Sequence, residues 1–189
     1  MTLTLDQVTD LLNKPKTLVP PFRWNEVRRQ DRRSAKHQFE EPLPVQRYDL
    51  VASTTIEGGV PRGLRFRFSV FTRRLYAATF QLECNRSTRD RTVHILYRME
   101  WRPIRGHTNG RHADSAISFR VFSDGETHHH SCLDHLGEDG ALRAGDVHLA
   151  RPIDPDPPDL NSALAFVCAT LNITNGSVLP EPRSQGQLF

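Results

Sequence analysis

From Val93 to Trp101 apolar and polar side chains alternate with almost no break. Val93, Ile95, Tyr97, Met99 and Trp101 fall on one side, and His94, Arg98 and Glu100, continued by Arg102, on the other, with Leu96 as the one exception. A period of two belongs to a strand with one buried and one wet face. The same rhythm recurs upstream. Leu64, Phe66, Phe68 and Val70 alternate with Arg65, Arg67 and Ser69, and Tyr76, Ala78, Phe80 and Leu82 with Ala77, Thr79, Gln81 and Glu83. Tyr48, Leu50, Ala52 and Ile56 predict a further strand before a Glu57-Gly58-Gly59 turn, and Gly106–Asp114 reads as a polar loop. Successive strands joined by short turns predict an antiparallel sheet.

Helical spacing is confined to the two ends. Thr4 and Gln7 form a capping-box pattern ahead of Leu5, Val8, Leu11 and Leu12, and Pro15 stops the run. Residues 14–21, rich in proline, read as an extended linker. Near the other end Asp156 is placed to cap a helix, Pro157 to open it and Asp159 to sit in its first turn. Leu160, Ala163, Leu164, Val167 and Leu171 supply the apolar stripe, and Gly176 and Pro180 the stop. The expectation is a single α+β domain with a helix and linker over 1–21, an antiparallel sheet over 22–150, a helix over 151–176 packed on one sheet face, and a tail over 177–189. A length of 189 residues suits one domain better than two.

Six of the nine histidines lie between His107 and His135. Asp124-Gly125 between two alternating runs is a type I′ hairpin signal. Its register sets Val121 against His128, Phe119 against His130 and Ile117 against Cys132. His128, His130 and Cys132 then share a strand face, as three ligands for zinc or another divalent metal would, with His135 or His107 to complete the set. The sequence contains no H-E-x-x-H and no C-x-x-C. A second chemistry is metal-free acid–base cleavage of a phosphodiester, with His107 and His129 as acid and base, Arg120 beside His129, and Arg98 or Arg105 as phosphate clamp. The third reading is a set of histidines merely solvated or paired within the fold. Phosphate-binding glycine loops, dinucleotide fingerprints and the G-x-S-x-G elbow are all missing, which removes nucleotide-driven, hydride-transfer and serine-hydrolase chemistry. Cys132 and Cys168 read as core thiols, and three scattered cysteines make no disulfide framework.

The net charge of +3 conceals a segregated one. Only Lys14, Lys16 and Lys36 are lysines, against 22 arginines, a bias that suits phosphate recognition and that a GC-rich coding sequence also produces. Arg28, Arg29, Arg32, Arg33, Arg65, Arg67, Arg98 and Arg102 would line a face for RNA or DNA. The acidic C-terminal half would suit a basic protein partner. No apolar run reaches the roughly 18–20 residues of a membrane helix, and no basic stretch leads into an apolar core near Met1, so a cytoplasmic protein without membrane contact is expected.

The run Met99-Glu100-Trp101-Arg102-Pro103, then His107-Thr108-Asn109, a histidine-bearing strand, the Asp124-Gly125 turn, and a helix leading into Leu171-Asn172-Ile173 resembles a family of small bacterial and phage-associated proteins over about residues 95–189. That resemblance implies a bacterial intracellular setting near mobile-element or defence genes, and no mechanism. The sequence reading is thus a nucleic-acid-directed protein, with histidine-dependent phosphodiester or RNA cleavage as its catalytic form. Its alternatives are a metal-binding β-rich enzyme and a non-enzymatic partner subunit of antitoxin or assembly type.

Overall fold

A computed structural model describes residues 3–28, 45–59, 61–71, 77–85, 93–112, 114–136, 141–142 and 147–182. It is an α+β fold built on an eight-stranded antiparallel sheet. The central strands are β4 (Val45–Ile56), β5 (Arg65–Phe71), β6 (Ala78–Asn85) and β7 (Val93–Trp101). β10 (His128–Ser131) and then the edge strand β12 (Ala150–Pro152) follow β7. On the other side β4 is long enough to pair with both β2 (Lys16–Val19) and β3 (Trp24–Arg28). The minor pairs are β1 (Leu3–Thr4) with β11 (Ala141–Leu142), and β8 (His107–Thr108) with β9 (Val121–Phe122).

The alternation decides which face does what. Leu50, Phe66, Phe68, Val70, Phe80, Leu82, Met99 and Trp101 are all buried in one cluster with Val8, Leu11 and Leu12 of helix α1 (Leu5–Asn13) and Ala163 and Val167 of α2 (Leu160–Thr170). Both helices therefore pack on the apolar face, and burial of these side chains drives the association. Arg47, Asp49, Arg65, Arg67, Ser69, Gln81, Arg98 and Glu100 take the intervening positions and form the opposite face. Leu96, the exception in the sequence pattern, is a β-bulge. Leu82 pairs with Tyr97 and Glu83 with Ile95, which leaves Leu96 unmatched and switches the buried side chains from His94 and Leu96 to Tyr97, Met99 and Trp101.

Several expected boundaries move. The capping box at Thr4 forms as expected, with Gln7 N–H donating to Thr4 Oγ1 at 3.3 Å and Thr4 N–H to Gln7 Oε1 at 3.2 Å. The linker expected over 14–21 contains β2, because the long β4 offers it an edge to pair with. The second helix is capped by Asp159, which accepts from Ser162 N–H at 2.7 Å, and not by Asp156, and Pro157 lies before the helix. The helix ends at Thr170, well before Gly176, since Asn172 takes a φ of 51° and turns the chain out of the helix. The hairpin expected around Asp124-Gly125 is not formed. The turn is there, but Gly125 N–H donates to Pro103 O at 2.8 Å and Asp124 Oδ1 accepts from Gly106 N–H at 2.7 Å, tying the turn to the 103–106 segment. β9 consequently pairs with β8, which lies within the expected Gly106–Asp114 loop, and β10 pairs with β7 and β12.

Candidate metal centre

β10 lies beside β7 with His128 opposite Glu100 and His130 opposite Arg98, so those four side chains project from the polar face of the sheet. The β8–β9 pair brings His107 onto the same place. A Cβ at Gly106 would run into the Phe122 carbonyl, so only glycine lets β8 approach β9 this closely. One ligand nitrogen from each of His107, His128 and His130 lies within 4.8 Å of the others. His128 and His130 are fully buried, and His107 is half-buried. The Glu100 carboxylate closes the group, with Oε2 3.7 Å from His128 Nε2 and Oε1 3.9 Å from His130 Nε2. Two ligands on a tetrahedral zinc with bonds of about 2.0–2.1 Å stand about 3.4 Å apart, so a small contraction suffices to seat an ion.

Hydrogen bonding outside the cluster fixes the tautomers of His107 and His128. Asn109 is buried, its Nδ2 donating to the carbonyls of Ile117 and Ala150 at 2.8 Å each and its Oδ1 accepting from Ala150 N–H at 2.8 Å. Its oxygen must therefore accept from His107 Nε2 at 2.7 Å, which leaves His107 Nδ1 with the lone pair. His128 Nδ1 lies 2.8 Å from Glu126 O and must donate to it, which leaves Nε2 as acceptor, buried and without a hydrogen-bond partner. His130 Nε2 faces Arg98 Nη2 at 3.4 Å and can only accept from it. Three lone pairs and a carboxylate thus converge, and Arg98 is the one donor among them. An unsatisfied buried acceptor is costly, and a cation is what such a set lacks.

Electrostatics hold the two buried rings, His128 and His130, in the ligating form. Burial lowers the pKa of His128, more than the hydrogen bond to Glu126 O and the Glu100 charge restore. Burial, with the Arg98 guanidinium next, pushes His130 down to about 2. Neutral imidazole is the species that binds metals. Oriented partners on the far ring nitrogen of a metal-ligating histidine are the usual support of such centres. Asn109→Ala removes that partner from His107. Zinc affinity is expected to fall about 10–100-fold, as read by competition with a chromophoric chelator, and an unchanged affinity would show that Asn109 does not position the ring.

The other residues singled out from the sequence are placed elsewhere. His129, one position out of phase with His128 and His130, faces the apolar side and stacks on Tyr97 with centroids 5.4 Å apart, so His107 and His129 do not share a site. Arg120 pairs with Glu126 at 3.2 Å and lies over the Phe122 ring. Cys132 opens the 3-10 turn Cys132–His135, buried, and the third member of the cluster is His107. His135 Nε2 accepts from the backbone N–H groups of His148 and Leu149. Arg65 and Arg67 both pair with Glu83, Arg98 pairs with Glu100 at 3.1 Å, and Arg102 donates to Pro158 O and lies over the Trp101 ring. Arg28 ends β3. Arg29, Arg32 and Arg33 lie outside the described residues.

Sequence reasoning missed Glu100 and Asn109 as members of the site. Glu100 was visible only as a polar-face residue of a strand, and Asn109 only as a neighbour of His107. Comparison with protein-family models, curated proteins and solved structures gave no match. Among the described residues no helix is long and apolar enough to cross a membrane.

Proposed function

We propose that the protein is a metal-dependent enzyme whose single divalent ion, zinc in the first instance, is held by His107, His128 and His130, with Glu100 beside it as proton acceptor. The observation that carries this reading is the convergence of three imidazoles, two of them, His107 and His128, held by partners on one ring nitrogen, with the buried His128 Nε2 left without a hydrogen-bond partner beside the Glu100 carboxylate. Three protein ligands and one open position are the pattern of catalytic zinc, whereas structural sites close all four. The cluster is not sealed. The Glu100 side chain is 26% exposed and borders a cleft, so water and substrate have a way in. A divalent ion held by His107, His128 and His130 would lower the pKa of a bound water into the neutral range. Glu100, ion-paired with Arg98 at 3.1 Å, would stand beside it to take the proton.

Phosphodiester cleavage by His107 and His129 has less support, because the two rings lie on opposite faces of the sheet. A nucleic-acid face has less too, since Arg65, Arg67 and Arg98 are engaged with carboxylates. The test is a titration of chelator-treated protein with zinc, followed calorimetrically. One equivalent per chain is the expected result, and no uptake would refute the proposal.

A further inference from the structure

Glu100 has two sides. One faces His128 and His130, and the other lines a cleft of about 470 Å³ on the polar face of the sheet, walled also by Arg47, Phe71, Thr79, Ile104 and Arg105. The pairing explains why these residues meet. Arg47 is opposite Phe71, and Thr79 stands between Ser69 and Glu100, so the cleft floor is a row of neighbouring polar-face positions across β4, β5, β6 and β7. The segment after β7 folds over the end of that row and brings Ile104 and Arg105. Its contents are uneven. Arg47 Nε lies 2.9 Å from Asp49 Oδ1, and among the described residues no ion pair engages the two terminal amino groups of its guanidinium. Arg105 is exposed, and no ion pair joins it to another described residue.

We propose that this cleft binds a small organic oxyanion, a phosphate or a carboxylate, with its charged head between Arg47 and Arg105 and its apolar body against Phe71 and Ile104. This is the substrate site of the metal enzyme proposed above and rests on that reading for its catalytic meaning. Planar guanidinium forks match both oxyanions through paired charge-assisted hydrogen bonds, and they do so best in a partly enclosed site. Phe71 and Ile104 supply the apolar wall that ligand pockets generally combine with a few convergent polar groups. Thr79 offers a hydroxyl on the floor, and Glu100 stands at the end nearest the histidines. An oxyanion held by the arginines therefore places the rest of its molecule at the carboxylate and the ion. A neutral ligand of the same shape would leave the arginines without acceptors.

The experiment is a titration of phenyl phosphate, benzoate and the neutral analogue phenol into zinc-loaded protein and into chelator-treated protein, with Arg105→Gln as the variant. At least one of the anions is expected to bind and phenol to bind far more weakly. Arg105→Gln is expected to weaken the anion about tenfold or more while its zinc affinity stays that of the parent. Which anion binds identifies the head group. Failure of both anions to bind, or equal binding by Arg105→Gln, overturns the proposal while leaving the metal centre standing. If zinc is not taken up, the metal reading falls, and the titration of the chelator-treated protein still decides whether the arginine cleft binds anions.

Discussion

His128→Ala/His130→Ala protein will retain at most about a tenth of an equivalent of zinc where the parent retains one, because two of three ligands are removed and a single half-buried imidazole does not hold the ion. Far-UV circular dichroism should remain that of the parent. The polar face keeps its Arg98–Glu100 pair, and the acceptors deleted are ones that find few partners within the protein. The parent gains thermal stability on adding zinc, about 2.7 kcal/mol at a hundredfold excess over Kd, and the variant gains none. His107→Ala guards against a folding defect. That ring is on the short β8, half-buried, and its loss removes one ligand without opening the sheet. Zinc binding at parental strength in both variants would place the metal elsewhere.

The second large effect concerns Lys16, far from the histidines. Its side chain is fully buried. Nζ donates to the carbonyls of Leu12 at 2.7 Å, Lys14 at 2.8 Å and Leu171 at 2.7 Å. These carbonyls belong to the C-terminal ends of α1 and α2, where helices leave acceptors unsatisfied and carry partial negative charge. One ammonium thus ties both helix ends to β2, each of its three protons matched to one oxygen. Burial lowers its pKa to about 8, so at neutral pH the three-proton form still predominates. In a chain with 22 arginines this is a place where arginine would not serve, since a flat five-donor fork cannot meet three acceptors converging on one point. Lys16→Met keeps the apolar stem and abandons three carbonyls. We expect a loss of about 3–5 kcal/mol and a fall in Tm of about 10 °C or more, measured by thermal or urea denaturation. A change within about 0.5 kcal/mol would show that water replaces the ammonium at no cost.

Both predictions draw on parts of the chain that its sequence reveals unequally. Strands β5, β6 and β7 and the apolar face they present are legible from alternation, and the one irregular residue, Leu96, marks the bulge that exchanges faces. The capping box at Thr4 is legible because capping is local chemistry. The parity of His128 and His130 is legible too, since residues two apart on a strand must share a side. What failed is non-local. Asp124-Gly125 carries the local signature of a hairpin, yet hydrogen bonds from Gly106 and to Pro103 pull β9 away to β8, and β10 finds β7 instead. That exchange put His107 in the place expected for Cys132 and set Glu100 opposite His128. Neither relation can be read before it is known which strands are neighbours. The arginines show the same limit: their number is plain from the sequence, but only the register reveals that Arg65 and Arg67 answer Glu83.

The central claim is the identity of the ligands, and X-ray absorption spectroscopy of the zinc-loaded protein tests it most directly. The account predicts a first shell of nitrogen and oxygen only, at about 2.0–2.1 Å, with the multiple-scattering signature of three imidazoles. A sulfur scatterer at about 2.3 Å, which would bring Cys132 or another thiol to the metal, or a shell without three imidazoles, would contradict it.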